Sequence, residues 1–154
     1  MNRLLFILFL VLAAASCQKG TCIHTYQSVS HSQWSIRDTL TFHIPPLAQD
    51  GVYELLAGVR IQRNFPFNQV WVVVEQDLNS PTLQHKDTLC IQIADSTGGL
   101  LGTGLNLCQY EEPLPPISLH KGQEGTLRLY HIMSKEILPH VHDVGLHVRQ
   151  KGQE

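Results

Sequence analysis

No stretch of this 154-residue chain stays apolar for the roughly 20 residues that a helix needs to cross a bilayer. No run of like charges and no low-complexity tract appears either. Those absences leave no lasting helical span, no polybasic tail and no disordered array. The formal net charge is only −2. So weak a balance gives no electrostatic footprint for nucleic acid or for anionic lipid.

Chemistry-bearing motifs are missing as well. No serine sits in a nucleophile-elbow pattern. Gly98-Gly99-Leu100-Leu101-Gly102-Thr103-Gly104 is glycine-rich but lies between two strands, with no following helix to turn free amides on phosphate. It reads as a glycine-bearing hairpin with a bulge. Nine histidines invite a metal, and His140 and His142, two apart, would point the same way from an extended segment. Asp143 is adjacent, with His131 or His147 as a third ligand. No HExxH or CxxC pattern completes a zinc set, so a solvated loop is the preferred reading. Glu111 and Glu112 are consecutive, so on a strand they face opposite sides and cannot flank one glycosidic bond. The expectation is a protein that is not an enzyme, with no catalytic residue, no cofactor and no metal.

What the chain does contain begins at its N-terminus. Met1-Asn2-Arg3 carries one positive charge, Leu4 to Leu12 is unbroken apolar, and Ala13-Ala14-Ala15-Ser16 is a small-residue exit. That is the layout of a secretory signal. Ala15-Ser16-Cys17 resembles the lipobox cut by bacterial lipoprotein signal peptidase. The reading is a removed signal over 1–16, a lipidated tether over 17–22 and one domain over 23–154. Cys17 then anchors the protein in a membrane, since two or more acyl chains hold where one binds only marginally. The mature chain of 138 residues (154 minus 16) has 10 basic and 13 acidic side chains, and is long enough to bury its own core. Cys22, Cys90 and Cys108 are an odd set in a compartment that permits disulfides. A Cys90–Cys108 bridge between neighbouring strands is one arrangement; separate, unreacted thiols are the preferred one.

Period-two alternation dominates the mature chain. Leu40, Phe42 and Ile44 share one side of a strand, and Tyr53, Leu55, Ala57, Val59 and Ile61 share one side of a longer one. Val70 to Val74 is apolar on both faces and suits a central strand. Leu89, Ile91 and Ile93, then Leu105 and Leu107, Leu127 and Leu129, and Val144, Leu146 and Val148 mark further strands. Only Met133 to Leu138 has room for a helical turn, ended by Pro139. The expected fold is all-β: a single β-sandwich of about seven to nine antiparallel strands, with a closed barrel as the alternative. Trp71, inside Val-Trp-Val-Val-Val, reads as core, and Trp34, in a polar stretch, as the better contact surface.

Trp34-Ser35-Ile36-Arg37-Asp38-Thr39-Leu40-Thr41-Phe42 comes first, then Val59-Arg60-Ile61-Gln62-Arg63-Asn64-Phe65-Pro66-Phe67-Asn68-Gln69-Val70-Trp71. Asp87-Thr88-Leu89, Asp95-Ser96-Thr97-Gly98 and Gly102-Thr103-Gly104 follow, and Asp143-Val144-Gly145-Leu146 closes the chain. This order of segments resembles the GldH family of gliding-motility lipoproteins of the Bacteroidetes. It runs from about His24 to Arg149. The chain departs from the family pattern at Leu100 and Ser134. The resemblance implies an envelope role linked to gliding and type IX secretion, and supplies no molecular activity. A non-catalytic scaffold for other envelope proteins follows, with Trp34, Arg63 and Asn64 as contact residues. A glycan-binding surface lipoprotein using Trp34 as a platform is the alternative. No acidic residue follows Cys17 in Gln18-Lys19-Gly20-Thr21-Cys22. In such lipoproteins that points to the outer membrane with the domain in the periplasm.

Overall fold

A computed structural model describes residues 21–79 and 81–152. Cys17 and the expected signal segment lie outside them. Eleven strands follow in chain order: β1 (Thr21–Ser28), β2 (Gln33–Ser35), β3 (Leu40–Ile44), β4 (Gly51–Gln62), β5 (Gln69–Asn79), β6 (Leu83–Gln92), β7 (Leu107–Pro113), β8 (Ile117–Leu119), β9 (Glu124–His131), β10 (Ile137–Pro139) and β11 (Val141–Gln150). β3 to β7, β9 and β11 match the alternating segments of the sequence; the strands beyond the expected seven to nine are the eight-residue β1, which no alternation marked, and the three-residue β2, β8 and β10. β1 takes in Thr21 and Cys22, two residues that the sequence assigns to the tether.

All pairings are antiparallel. One sheet has the order β1-β11-β4-β7, with β8 also on β4; the other has β3-β9-β5-β6; β2 and β10 form a small separate ribbon. The inward residues of both sheets make one buried cluster, including Leu55, Val59, Ile61, Val144, Leu146 and Val148 from the first and Val70, Val72, Val74, Leu127 and Leu129 from the second. This is an all-β sandwich, held by apolar burial on one face of each sheet.

Four local expectations change. Met133 to Leu138 is not helical: Ile137–Pro139 is β10, paired with β2 through Leu138↔Trp34. The short piece with 3-10 character is at Ser30–Ser32 instead. Leu105 is 87% exposed and precedes β7, because the chain bends there before Leu107 begins the pairing. The two tryptophans exchange roles. Trp34 is fully buried, its indole N–H donating to Asp38 O at 3.1 Å, whereas Trp71 is 41% exposed on the outer face of β5. Of the β5 valines only Val73 is buried on that outer side.

Trp34 sits against His131 at the end of β9, ring centroids 5.0 Å apart and nearly perpendicular. His131 Nε2 lies 3.1 Å from the Trp34 carbonyl, and the Met133 N–H donates to His131 Nδ1 at 3.4 Å. A carbonyl only accepts and an N–H only donates, so these contacts fix the neutral ring with its proton on Nε2. Burial lowers the His131 pKa below its ordinary value, outweighing the Trp34 carbonyl and Asp38. Between the lowered folded pKa and the unfolded value near 6.5, the unfolded chain binds more protons, so stability rises with pH and is lost as the pH is lowered. We expect the melting temperature to drop between about pH 7.5 and about pH 5, more shallowly in His131→Gln, whose side chain does not titrate. Equal slopes for the two chains in thermal unfolding would count against it.

Candidate functional site

The outer face of the β1-β11-β4-β7 sheet carries polar side chains in three cross-strand rows. Register places His24, His147, Leu56 and Pro113 in the first row. The second row is Tyr26, Gly145, Gly58 and Glu111, and the third is Ser28, Asp143, Arg60 and Gln109. Period-two alternation sends these residues outward because their neighbours Leu146, Val144, Val59 and Tyr110 go to the core.

The middle row explains the arrangement. Two glycines side by side in β11 and β4 leave a trough, and the Tyr26 ring lies in it. A Cβ on Gly145 would sit 2.6 Å from Tyr26 ring carbons. The phenol reaches over the trough and donates to Glu111 Oε1 at 2.9 Å. Gln109 Nε2 donates to the same oxygen at 3.1 Å, and His24 Nε2 is 3.5 Å away. On the other side of the ring the Arg60 guanidinium lies 3.9 Å from the Tyr26 centroid, while its Nε donates to Gln109 Oε1 at 3.0 Å. Arg60 also faces Asp143 Oδ2 at 3.6 Å, and Ser28 donates to Asp143 Oδ1 at 2.8 Å. His142 joins this face through a bulge between Val141 and Asp143. Its Nδ1 lies 3.1 Å from Asp143 Oδ2, an ion pair when protonated rather than a directed hydrogen bond.

The charges follow from these contacts. Burial and then Glu111 push the Tyr26 phenol well above its ordinary range, so it remains a donor. Burial raises the Asp143 carboxyl, but Ser28, His142 and Arg60 together hold it below the usual carboxylate value. Burial and then His24 lower the His147 pKa, which favours the neutral ring. His24 and His147 stack with centroids 4.3 Å apart, and His147 Nε2 is buried without a hydrogen-bond partner among the described residues. One ligand atom each from His24, Glu111 and His147 lies within 4.8 Å of the others. The sequence pairing of His140 with His142 is not realised. His140 is in a left-handed turn (φ 64°), and its ring contacts Gln62 at 3.0 Å and Asn64 at 3.4 Å instead.

The three expected contact residues are not brought together. Trp34 is in the core and presents no platform for a sugar. Arg63 and Asn64 are exposed and line a shallow surface pocket of about 490 Å³ with Gln62, Asn106, Leu107 and His142. The 63–68 segment carries the chain from β4 in one sheet to β5 in the other. Glu111 faces outward and Glu112 lies on the opposite side of β7, as their spacing requires. Asp95 accepts from Thr97 N, Thr97 Oγ1 and Gly99 N, so the Asp95–Gly99 segment is a self-capped turn with Gly98 at φ 84°. Cys22, Cys90 and Cys108 are free thiols.

A family model described as GldH lipoprotein matches residues 21–148. A curated protein named "Gliding motility lipoprotein GldH", from Flavobacterium johnsoniae, is 29% identical over 144 residues, covering 88% of this chain and 89% of that protein. Among solved structures, a chain described as "Structure of Eiger TNF from S. frugiperda" overlaps 88% of this chain and 96% of its own length. Its identity is 6% and its TM-score 0.41, too low to bear on fold or function.

Proposed function

The chain belongs to the GldH lipoprotein family, and from that membership we propose a non-catalytic, outer-membrane role: lipid-tethered through Cys17, facing the periplasm, and holding another envelope protein of the gliding and type IX secretion apparatus at its far tip. The observation that carries this reading is the placement of Arg63 and Asn64 relative to the start of β1. Cys17 is four residues before Thr21, a span of at most about 14 Å. β1 then runs eight residues to Ser28, about 23 Å, and Ser28 lies across from Asp143 and Arg60, next to the 63–68 segment. A lipid on Cys17 would therefore leave Arg63 and Asn64 at the membrane-distal end, where a partner meets them first. The glycan-binding alternative depended on an exposed Trp34 and has no such support.

Cell fractionation tests the tether. Cys17→Ala is expected to leave the outer-membrane fraction and to take up no labelled palmitate. Retention of the variant, or persistent label, would remove the lipoprotein anchor from the proposal. Photo-crosslinkers at Arg63 and Asn64 should capture a discrete envelope protein, and one at Lys86, on the opposite sheet, should not. Capture from Lys86 alone would move the contact to the other face.

A further inference from the structure

We propose that His24, His147 and Glu111 form a three-ligand site for a divalent transition-metal ion of the zinc class, with water in the fourth position. Nothing in the tether-and-contact role requires such a site. Three observations on independent elements carry it.

First, strand register and the reach of Glu111 bring the ligand set together. His24 on β1 and His147 on β11 are direct cross-strand partners, and Glu111 reaches them from β7 across the two-glycine trough. In tetrahedral zinc, bonds of about 2.1 Å set neighbouring N and O ligands roughly 3.4 Å apart. His24 Nε2 and Glu111 Oε1 are already at 3.5 Å. The whole set lies within 4.8 Å, so small rotations of the exposed His24 ring and of the part-buried Glu111 carboxylate would bring it to bonding distance.

Second, His147 Nε2 is buried with no partner among the described residues. A buried polar atom without a partner is costly, and a metal is one of the few groups that satisfies an imidazole nitrogen there.

Third, the Glu111 carboxylate is already held in place. Tyr26 and Gln109 both donate to its Oε1, and Gln109 is in turn held by Arg60. Outer hydrogen bonds of this kind fix ligating carboxylates and raise metal affinity. An ion there would tie the edge strand β1 to β11 and β7 at once.

The test uses the full chain in detergent, purified without a polyhistidine tag and stripped with chelator. Calorimetric titration with zinc chloride is expected to show one equivalent bound with a dissociation constant of about 1 μM or tighter, with a rise in melting temperature. His24→Ala, His147→Ala and Glu111→Gln should each weaken binding at least about tenfold. Cys22→Ser should leave it unchanged, and cobalt should give a tetrahedral spectrum without a thiolate charge-transfer band. His24 is exposed on an edge strand, so His24→Ala keeps the test valid should His147→Ala fail to fold. No binding up to about 100 μM zinc (a standard free energy near −5.5 kcal/mol) would overturn the proposal. So would binding that survives His24→Ala, or that is lost in Cys22→Ser.

Discussion

Replacing Trp34 with alanine is expected to cost about 3–5 kcal/mol of folding stability, in the range for an aromatic removed from a packed core. The indole is wholly buried, its N–H is satisfied by Asp38 O, and its ring packs on His131. Truncation opens a cavity, strands the Asp38 carbonyl and loosens the β2–β10 ribbon that pairs through Trp34 and Leu138. For a domain of this size the loss corresponds to a melting temperature lower by roughly 10–20 °C. Trp71→Ala, on the half-exposed outer face of β5, should cost about 1 kcal/mol or less. Denaturant unfolding of the two variants side by side checks the pair. A larger cost at Trp71 than at Trp34 would reverse the core assignment.

The second large effect is expected at Gly145. Even an alanine Cβ would stand 2.6 Å from the Tyr26 ring and 2.7 Å from the Thr25 carbonyl. The ring can be pushed out of its trough, but the carbonyl belongs to the paired β1 backbone and cannot yield freely. Gly145→Ala should therefore destabilise by about 2–3 kcal/mol, at the upper part of the overpacking range. Displacing the phenol also removes its bond to Glu111 and its contact with Arg60. Part of the cost should vanish when Tyr26 is already alanine, and a double-mutant cycle should return a coupling of about 1 kcal/mol or more. Additive costs would mean that Tyr26 does not occupy the trough as described.

Much of the scaffold was legible in the sequence because a sheet with one buried face writes its period into the chain. Tyr53 to Ile61, Leu127 with Leu129, and Val144 to Val148 alternate, and each is a strand with those residues inward. The site was not legible. His24, Glu111 and His147 are far apart in the chain and meet only through the register of three pairings, which no local pattern reveals. The signal that points there is Gly58 and Gly145, small residues inside otherwise bulky strands, where another group must approach closely. Trp34 misled because its neighbours in sequence are polar, while its neighbours in space come from β9 and β10, about a hundred residues later. Trp71 misled in the opposite way: a β-branched block suggests cover on both faces, but on the outer side only Val73 is covered. His140 and His142 fail as a pair because the left-handed turn and the bulge between Val141 and Asp143 break the alternation that would have aligned them.

The place of β1 at the sheet edge has a mechanical meaning. A pull arriving through residues 17–20 enters at Thr21 and acts along the strand, whose partner β11 runs the other way beside it. If the resisting hold is at the 63–68 tip, which follows β4, the load would have to cross from β1 through β11 to β4. Antiparallel hydrogen bonds lie perpendicular to the strands. The β1–β11 bonds are then strained together in shear, not opened one after another as in a peeled hairpin. Tyr26 in its trough, wedged between Arg60 and Glu111, would act as a catch against slippage along the same line.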